Sequence, residues 1–259
     1  LDNDGDLDIY GLNWDATFGL NDNLLENDGN GVFSIDQVLS NSGADDNEGD
    51  FIDYDLDGDL DLFVTSFFAP NRLYRNDHAG GAFNFVEQSS QIPSVNFIGL
   101  DGDACDTDGD GDYDFMISND SGSRNLYFEN IIRNNGSGPT DTFAPYIPHV
   151  EQAPNRASGV DATVVRAHVY DNAAYYITWY NNTWMEVSDG GPTQVIPMMS
   201  SGGQVFRGVI PAGFTGTVQY QIFSEDEYGN QGSSAVLSYN VGVVTTYCTA
   251  KASSVGCLA

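Results

Sequence analysis

An acidic residue occupies every second position from Asp53 to Asp61, in the stretch Asp-Tyr-Asp-Leu-Asp-Gly-Asp-Leu-Asp. If these carboxylates faced one another without a counterion, each close pair would repel by roughly 4 kcal/mol at 4 Å and an effective dielectric near 20. A segment of this composition therefore folds compactly only around a cation. This requirement constrains the chain more than any other feature of its sequence.

Calcium suits this segment better than the other common metals. Ca²⁺ accepts about six to eight oxygen ligands in a flexible shell, whereas Mg²⁺ keeps its waters and zinc prefers nitrogen and sulfur. Gly58 stands where a calcium loop turns sharply, a backbone conformation that is unstrained only for glycine. The glutamate that closes an EF-hand is absent, because Val64 stands at its position. The spacing predicts three side-chain ligands, one backbone carbonyl and a further carboxylate, in this order: Asp53, Asp55, Asp57, Asp59 and Asp61.

The same arrangement returns along the chain at a fixed interval. The final aspartates of its three copies, Asp8, Asp61 and Asp114, are spaced 53 residues apart. A constant period of this size predicts a repeat architecture. The first copy lacks its first ligand position, so we expect it to bind the cation more weakly. The further predicted ligands are Asp2, Asp4, Asp6 and Asp8 in the first copy and Asp106, Asp108, Asp110, Asp112 and Asp114 in the third.

The residues that follow each loop have the character of β-strands. Residues 62–68 are rich in aromatic and β-branched side chains. Asparagine-flanked segments at residues 23–27, 71–76 and 125–130 echo one another behind the three loops. We therefore expect about four short strands in each repeat, with repeats one, two and three at residues 1–42, 43–95 and 96–142.

These motifs carry a family resemblance. Residues 49–63, with the segment Leu-Tyr-Arg-Asn at 73–76, resemble the FG-GAP or VCBS-type repeat of integrin α-subunit β-propellers and many bacterial surface proteins. The resemblance covers roughly residues 1–142 and implies four-stranded blades whose aspartate loops bind Ca²⁺. A closed propeller has about four to eight blades, and fewer than three complete ones are encoded here. We therefore expect a partial β-propeller, either a fragment of a longer array or an unusual arc.

The composition changes after residue 142. A proline-marked linker at 143–148 precedes alternating segments at residues 162–170, 174–180, 204–210, 217–224 and 234–241. Short strands of this density predict a β-sandwich, so the whole chain is expected to be all-β. Residues 143–243 resemble the Ig-like or fibronectin-III-like domains attached to bacterial secreted proteins. Residues 244–259 are expected to begin a further segment.

The three cysteines receive two interpretations. Cys248 and Cys257 are spaced to close a small loop, and a disulfide would be compatible with export, but the spacing leaves its formation open. Cys105 follows Ile52 by 53 residues and is predicted to be a small buried hydrophobic side chain.

The net charge of −30 lies almost entirely in the repeats. Residues 1–141 contain 30 acidic and 4 basic residues, against 8 and 4 in residues 142–259. Such acidity excludes nucleic acids and anionic membranes as direct partners, and no apolar run is long enough to insert into a membrane. Calcium loops of extracellular modules bind at about 10⁻⁴ to 10⁻³ M and would be empty in a cytosol. We therefore expect an extracellular protein, secreted or at the cell surface.

No catalytic residues are predicted. His78, His149 and His168 do not lie near a plausible nucleophile in the sequence, and no common catalytic motif is present. Carboxylates on Ca²⁺ are held ionised, which makes them ligands rather than general acids. We expect a non-enzymatic calcium-binding module with a structural, adhesive or ligand-binding role toward a protein or carbohydrate. The alternative is an accessory region of a larger secreted enzyme, such as a polysaccharide-degrading hydrolase or lyase.

Overall fold

The computed structural model describes residues 1–2, 6–13, 19–77, 84–133, 137–157, 162–172 and 182–244. The chain divides into two compact units. The first comprises Leu1–Phe143 and Asn172–Tyr180, and the second comprises Ala144–Asp171 and Asn181–Ala259. Both units are built from β-strands, which confirms the all-β prediction. In the part of the chain that is described, no helix is long and apolar enough to cross a membrane.

The first unit contains antiparallel strands from all three repeats. Strands β1, β2 and β3 form one sheet, and β4 to β10 form another in which β5 pairs with both β4 and β8. A 3-10 helix, Ser89–Gln91, follows β7. The strands are β1 Ile9–Gly11, β2 Asn23–Asn27, β3 Phe33–Val38, β4 Asp45–Ile52, β5 Asp61–Pro70, β6 Arg72–Asn76, β7 Phe85–Glu87, β8 Asn96–Cys105, β9 Asp114–Asn119 and β10 Leu126–Phe128.

Strand β5 contributes side chains to two hydrophobic clusters among the described residues of the first unit. Because side chains alternate across a strand, Leu62 and Val64 enter one cluster with Leu24 of repeat one, whereas Phe63 enters the other with residues of repeat three. The Phe63 ring stacks on Phe115 with ring centroids 3.8 Å apart and an interplanar angle of 25°. Repeat two is therefore packed on both faces, and its loop is held between the flanking repeats.

Within the described residues, the second unit contains two antiparallel sheets. One has the order β11-β12-β16-β15, and the other has the order β14-β13-β17-β18 with β19 also paired to β17. The strands are β11 Tyr146–Val150, β12 Thr163–Tyr170, β13 Asn182–Ser188, β14 Gln194–Pro197, β15 Met199–Gly202, β16 Val205–Ile210, β17 Gly216–Glu225, β18 Gln231–Ser233 and β19 Leu237–Val241.

One apolar core joins the two sheets of the second unit. Val165 on β12, Val187 on β13 and Ile222 on β17 all belong to a single buried cluster. The Tyr220 hydroxyl accepts the Ala153 N–H and donates to the Glu151 carbonyl oxygen, both at 2.8 Å, so this buried phenol is fully satisfied. This arrangement agrees with the predicted sheet-on-sheet packing, while the Ig-like or fibronectin-III-like assignment stays a prediction.

The strand predictions differ in outcome. The segments predicted at 162–170, 204–210, 217–224 and 234–241 coincide with β12, β16, β17 and β19 to within a few residues. The segment predicted at 174–180 lies outside the described residues, as do His78, Cys248 and Cys257.

The prediction that Cys105 is buried is wrong, because its thiol is exposed. Ile52, one period earlier, packs into the cluster that contains Phe115 of the following repeat. Cys105 belongs to the last of the three repeats, so equivalent positions in sequence have different surroundings.

Candidate metal centre

The first residue of each complete loop holds the loop backbone in place. The buried Asp53 accepts the N–H groups of Asp57 at 3.1 Å and Gly58 at 3.0 Å. One period later, the buried Asp106 accepts the N–H of Asp110 at 3.1 Å and that of Gly111 at 3.0 Å. The backbone of each loop thus curves around the carboxylate of the first loop residue.

Glycine is required where these loops turn. Gly58 and Gly111 both have φ of +94°, which confirms the prediction of a sharp turn at Gly58. Gly109 in the loop of repeat three also has a positive φ, and its counterpart in the loop of repeat two is Leu56 at φ +60°. The Leu56 side chain is buried, so its packing offsets the strain of a left-handed residue.

The last aspartate of each loop binds backbone N–H groups further along its repeat. Asp8, Asp61 and Asp114 accept the backbone N–H groups of Asn27, Asn76 and Asn130 at 3.1, 2.8 and 3.0 Å. The second oxygen of Asp61 accepts the Tyr54 N–H, and that of Asp114 accepts the Thr107 N–H. These aspartates therefore close the loop and fix the strand behind it.

Side-chain carboxylates converge in both complete loops. Asp53, Asp55 and Asp57 each place one oxygen within 4.8 Å of the others. Asp106, Asp108 and Asp114 form a second such group, in which Asp114, the counterpart of Asp61, stands instead of Asp110. Within the described residues, the other predicted ligands fall outside these two groups. Those residues are Asp2, Asp6, Asp8, Asp59, Asp61, Asp110 and Asp112, and Asp4 lies outside the described residues.

Several loop oxygens are buried without a hydrogen-bond partner. They include Oδ1 of Asp55, Oδ1 of Asp110 and Oδ1 of Asp112. Asp112 is fully buried, and its other oxygen accepts the Arg133 N–H at 2.9 Å. A buried, unpaired carboxylate oxygen costs free energy unless an ion or a proton satisfies it.

The electrostatics of the loops reflect this crowding. Burial, followed by the charges of neighbouring aspartates, raises the pKa of Asp53 to about 6 and that of Asp61 to about 9. Burial and the Asp110 charge likewise raise the pKa of Asp112 to about 6. In the absence of a cation the loops therefore favour proton uptake, which is the response of carboxylates that need positive charge.

Sequence reasoning noted the asparagine-flanked segments but assigned them no role. An Asp or Asn at the start of each segment, or directly before it, accepts a backbone N–H from the preceding strand region at 3.1 Å. The three pairs are Asn13 with Asp22, Ser66 with Asn71 and Asn119 with Asn125. The recurrence of Asn or Asp at this place in the repeat was the signal that could have revealed this function.

The last asparagines of these segments link neighbouring repeats. Asn76 donates from Nδ2 to the Leu1 carbonyl oxygen at 3.3 Å, and Asn130 donates to the Tyr54 carbonyl oxygen at 2.8 Å. Leu1 and Tyr54 are themselves one period apart. The asparagine at this position therefore ties the loop of one repeat to the asparagine-flanked segment of the next repeat.

Part of this region matches a known family of repeats. Residues 53–117 match a family model described as FG-GAP-like repeat, which spans the first complete loop and the loop of repeat three. No curated protein matches the chain. Repeats of this family are typical of extracellular and cell-surface proteins.

Proposed function

We propose that the chain is a calcium-binding extracellular module in which Asp53, Asp55 and Asp57 hold one Ca²⁺ and Asp106, Asp108 and Asp114 hold another. The observation that carries this proposal is the convergence of three carboxylates within 4.8 Å in each loop. Like charges gather in this way when a cation balances them, and the donor atoms are the hard oxygens that calcium prefers.

The remaining predicted ligands have supporting roles in this proposal. The Asp59 and Asp112 positions supply oxygen from the far side of the turn, and Asp61 fixes the strand that starts there. The buried Oδ1 atoms of Asp55 and Asp112 fit calcium ligation, because a cation would satisfy oxygens that the protein leaves unpaired. The loop of repeat one, with Asp2, Asp4, Asp6 and Asp8, is the weakest site.

The module acts without catalysis and presents a rigid surface to a protein or carbohydrate ligand. The loop of repeat two joins β4 and β5, which both contribute to two hydrophobic clusters shared with the neighbouring repeats, so a bound ion stiffens the junctions between repeats. The match to FG-GAP-like repeats supports an extracellular setting, where calcium is abundant enough to fill loops of modest affinity.

Calorimetric titration of the full chain with Ca²⁺ tests the loop sites. The variant Asp55→Asn/Asp108→Asn removes one side-chain ligand from each complete loop. Its control, Asp36→Asn/Glu129→Gln, makes the same change in charge at exposed positions outside the loops. We expect the loop variant to bind two fewer calcium ions than the control. Equal stoichiometry and affinity in the two proteins would refute the assignment.

A further inference from the structure

Three oxygen atoms without partners lie together on one face of the sheet in repeat two, away from the aspartate loops. Glu48 on β4 is paired directly with Thr65 on β5, and Asp50 follows Glu48 by two residues. Paired residues, and residues two apart on a strand, share a face. Oε2 of Glu48, Oδ2 of Asp50 and Oγ1 of Thr65 are all buried and have no hydrogen-bond partner.

The Thr65 hydroxyl is held in this position by packing against β8. Thr65 is 0% exposed. A Cβ atom on Gly99 would come within 2.5 Å of the Thr65 methyl carbon, and one on Gly102 would come within 2.9 Å of Thr65 Oγ1. The two glycines thus leave the space that the Thr65 side chain fills. Its hydroxyl lies against Gly102, out of contact with water.

Negative charge is concentrated at the same place. The carboxyl groups of Glu48 and Asp50 contact each other, and Asp101 and Asp103 on β8 add two exposed charges nearby. Burial, reinforced by Asp50, Asp101 and Asp103, raises the pKa of Glu48 to about 8. Burial also raises the pKa of Asp50, to about 6. Two carboxylates in contact require either a shared proton or a cation between them.

We propose that Glu48, Asp50 and the Thr65 hydroxyl bind a hard divalent cation at a site separate from the aspartate loops. Two carboxylates and one hydroxyl leave several positions of the shell to water, which suits Mg²⁺ as well as Ca²⁺. The cation satisfies all three unpartnered oxygens at once and replaces the proton that Glu48 and Asp50 would otherwise share. It also bridges the inner strands of repeats two and three, because Thr65 is packed against β8.

Stoichiometry provides the first test. The whole chain of 259 residues is titrated calorimetrically with Ca²⁺ alone and, separately, with Mg²⁺ alone. The variant Glu48→Gln/Asp50→Asn is isosteric and removes repulsion, so it is expected to fold without cation at least as well as the wild type. We expect it to lose one binding site relative to Asp36→Asn/Glu129→Gln, in which one Asp and one Glu are neutralised at exposed positions.

Repeating the titration in the Asp55→Asn/Asp108→Asn background distinguishes the Glu48–Asp50–Thr65 site from the loop sites. The proposal holds if Glu48→Gln/Asp50→Asn removes one site in both backgrounds, whether or not the loops bind calcium. An unchanged number of sites in both backgrounds overturns it, and leaves the shared proton as the explanation of the Glu48–Asp50 contact.

Thr65→Val gives a second test because its effect is expected to change sign. Without cation, replacing an unpaired buried hydroxyl by a methyl group should raise the melting temperature. With saturating cation the same change removes a ligand and should lower it. The control is Thr183→Val in the second unit, where the Thr183 hydroxyl forms a hydrogen bond with the Ser224 hydroxyl at 2.9 Å. The change in melting temperature that this control causes should not depend on cation. A Thr65→Val effect of the same sign and size in both conditions would contradict the proposal.

Discussion

The two units are both built from β-strands, but they bury different kinds of side chain. Around the loops of the first unit, Asp53, Asp61 and Asp112 are fully buried, whereas the second unit encloses a core of aliphatic, aromatic and methionine side chains. Apolar burial stabilises a fold largely without regard to ions or pH, whereas buried carboxylates stabilise it only when paired. The stability of the first unit therefore depends on the ions and the pH of the solution around it.

Removal of calcium should have the largest effect and should separate the units. A site filled at about 100 times its dissociation constant contributes about 2.7 kcal/mol, so two loops contribute about 5 kcal/mol. Since about 1 kcal/mol shifts the melting temperature by about 2–4 °C or more, EGTA should lower the transition of the first unit by roughly 10 °C. The second unit should move by no more than about 1 °C in differential scanning calorimetry. Equal shifts of both transitions would remove the distinction drawn between them.

Core truncation should destabilise the unit that carries it irrespective of calcium. Phe63→Ala deletes a ring stacked at 3.8 Å on Phe115, and we expect a loss of about 3–5 kcal/mol from the first unit. Ile222→Ala in the second unit should lose about 2–5 kcal/mol. Each change should move only the transition of its own unit, with and without EGTA. Calcium-dependent loss in Ile222→Ala would mean that the second core is not autonomous.

Buried polar pairs in the second unit should behave as ordinary hydrogen bonds. Thr183→Val leaves the buried Ser224 hydroxyl unpaired and should cost about 1–3 kcal/mol, whereas Thr183→Val/Ser224→Ala should be closer to neutral. Urea unfolding of the single and double variants measures the difference. If the double variant were as destabilised as the sum of the single ones, the pair would contribute nothing by itself.

The smallest expected effect concerns a buried carboxylate outside the loops. Burial, together with Asp46, raises the pKa of Asp22 from 3.8 to about 6, against the opposing hydrogen bond from Tyr10. Between about pH 4 and pH 6, Asp22 is therefore protonated in the folded state but ionised in the unfolded state. Ionised Asp22 lowers stability above pH 6, and that loss disappears as the pH falls toward 4.

Asp22→Asn should remove this dependence. Asparagine already occupies the equivalent positions 71 and 125. We expect the substitution to stabilise the first unit by about 1 kcal/mol near neutral pH and to give no gain near pH 4, since one unit of pKa corresponds to about 1.4 kcal/mol before solvent screening. Chemical unfolding at the two pH values checks this. A gain that is constant with pH would show that Asp22 is not the titrating group.

Sequence reasoning recovered features that depend on local chemistry. The loops, their period and the positive φ of Gly58 follow from the spacing of aspartate and glycine alone. Strands β13, β14 and β15 were not predicted, since β13 and β15 pair with β17 and β16, which follow later in the chain.

The site was less predictable than the loops that contain it. The roles of Asp61 and Asp114 in binding backbone N–H groups depend on strands 15 or more residues away. The Glu48, Asp50 and Thr65 group could not be inferred, because Thr65 is buried by the packing of glycines from another repeat. The prediction that Cys105 is buried was wrong for the same reason. Periodicity predicts the position of a residue within its repeat but not which residues of other repeats pack against it.

The asparagine bonds from Asn76 to Leu1 and from Asn130 to Tyr54 make folding of the repeats cooperative. Each bond forms only when two adjacent repeats are ordered together, so the array behaves as a one-dimensional lattice with a coupling free energy at every junction. Loss of order in one repeat then withdraws a hydrogen bond from the loop of the repeat before it. A ligand or ion that orders one loop will for that reason raise the affinity of its neighbour, and calcium binding to the two complete loops should show positive cooperativity.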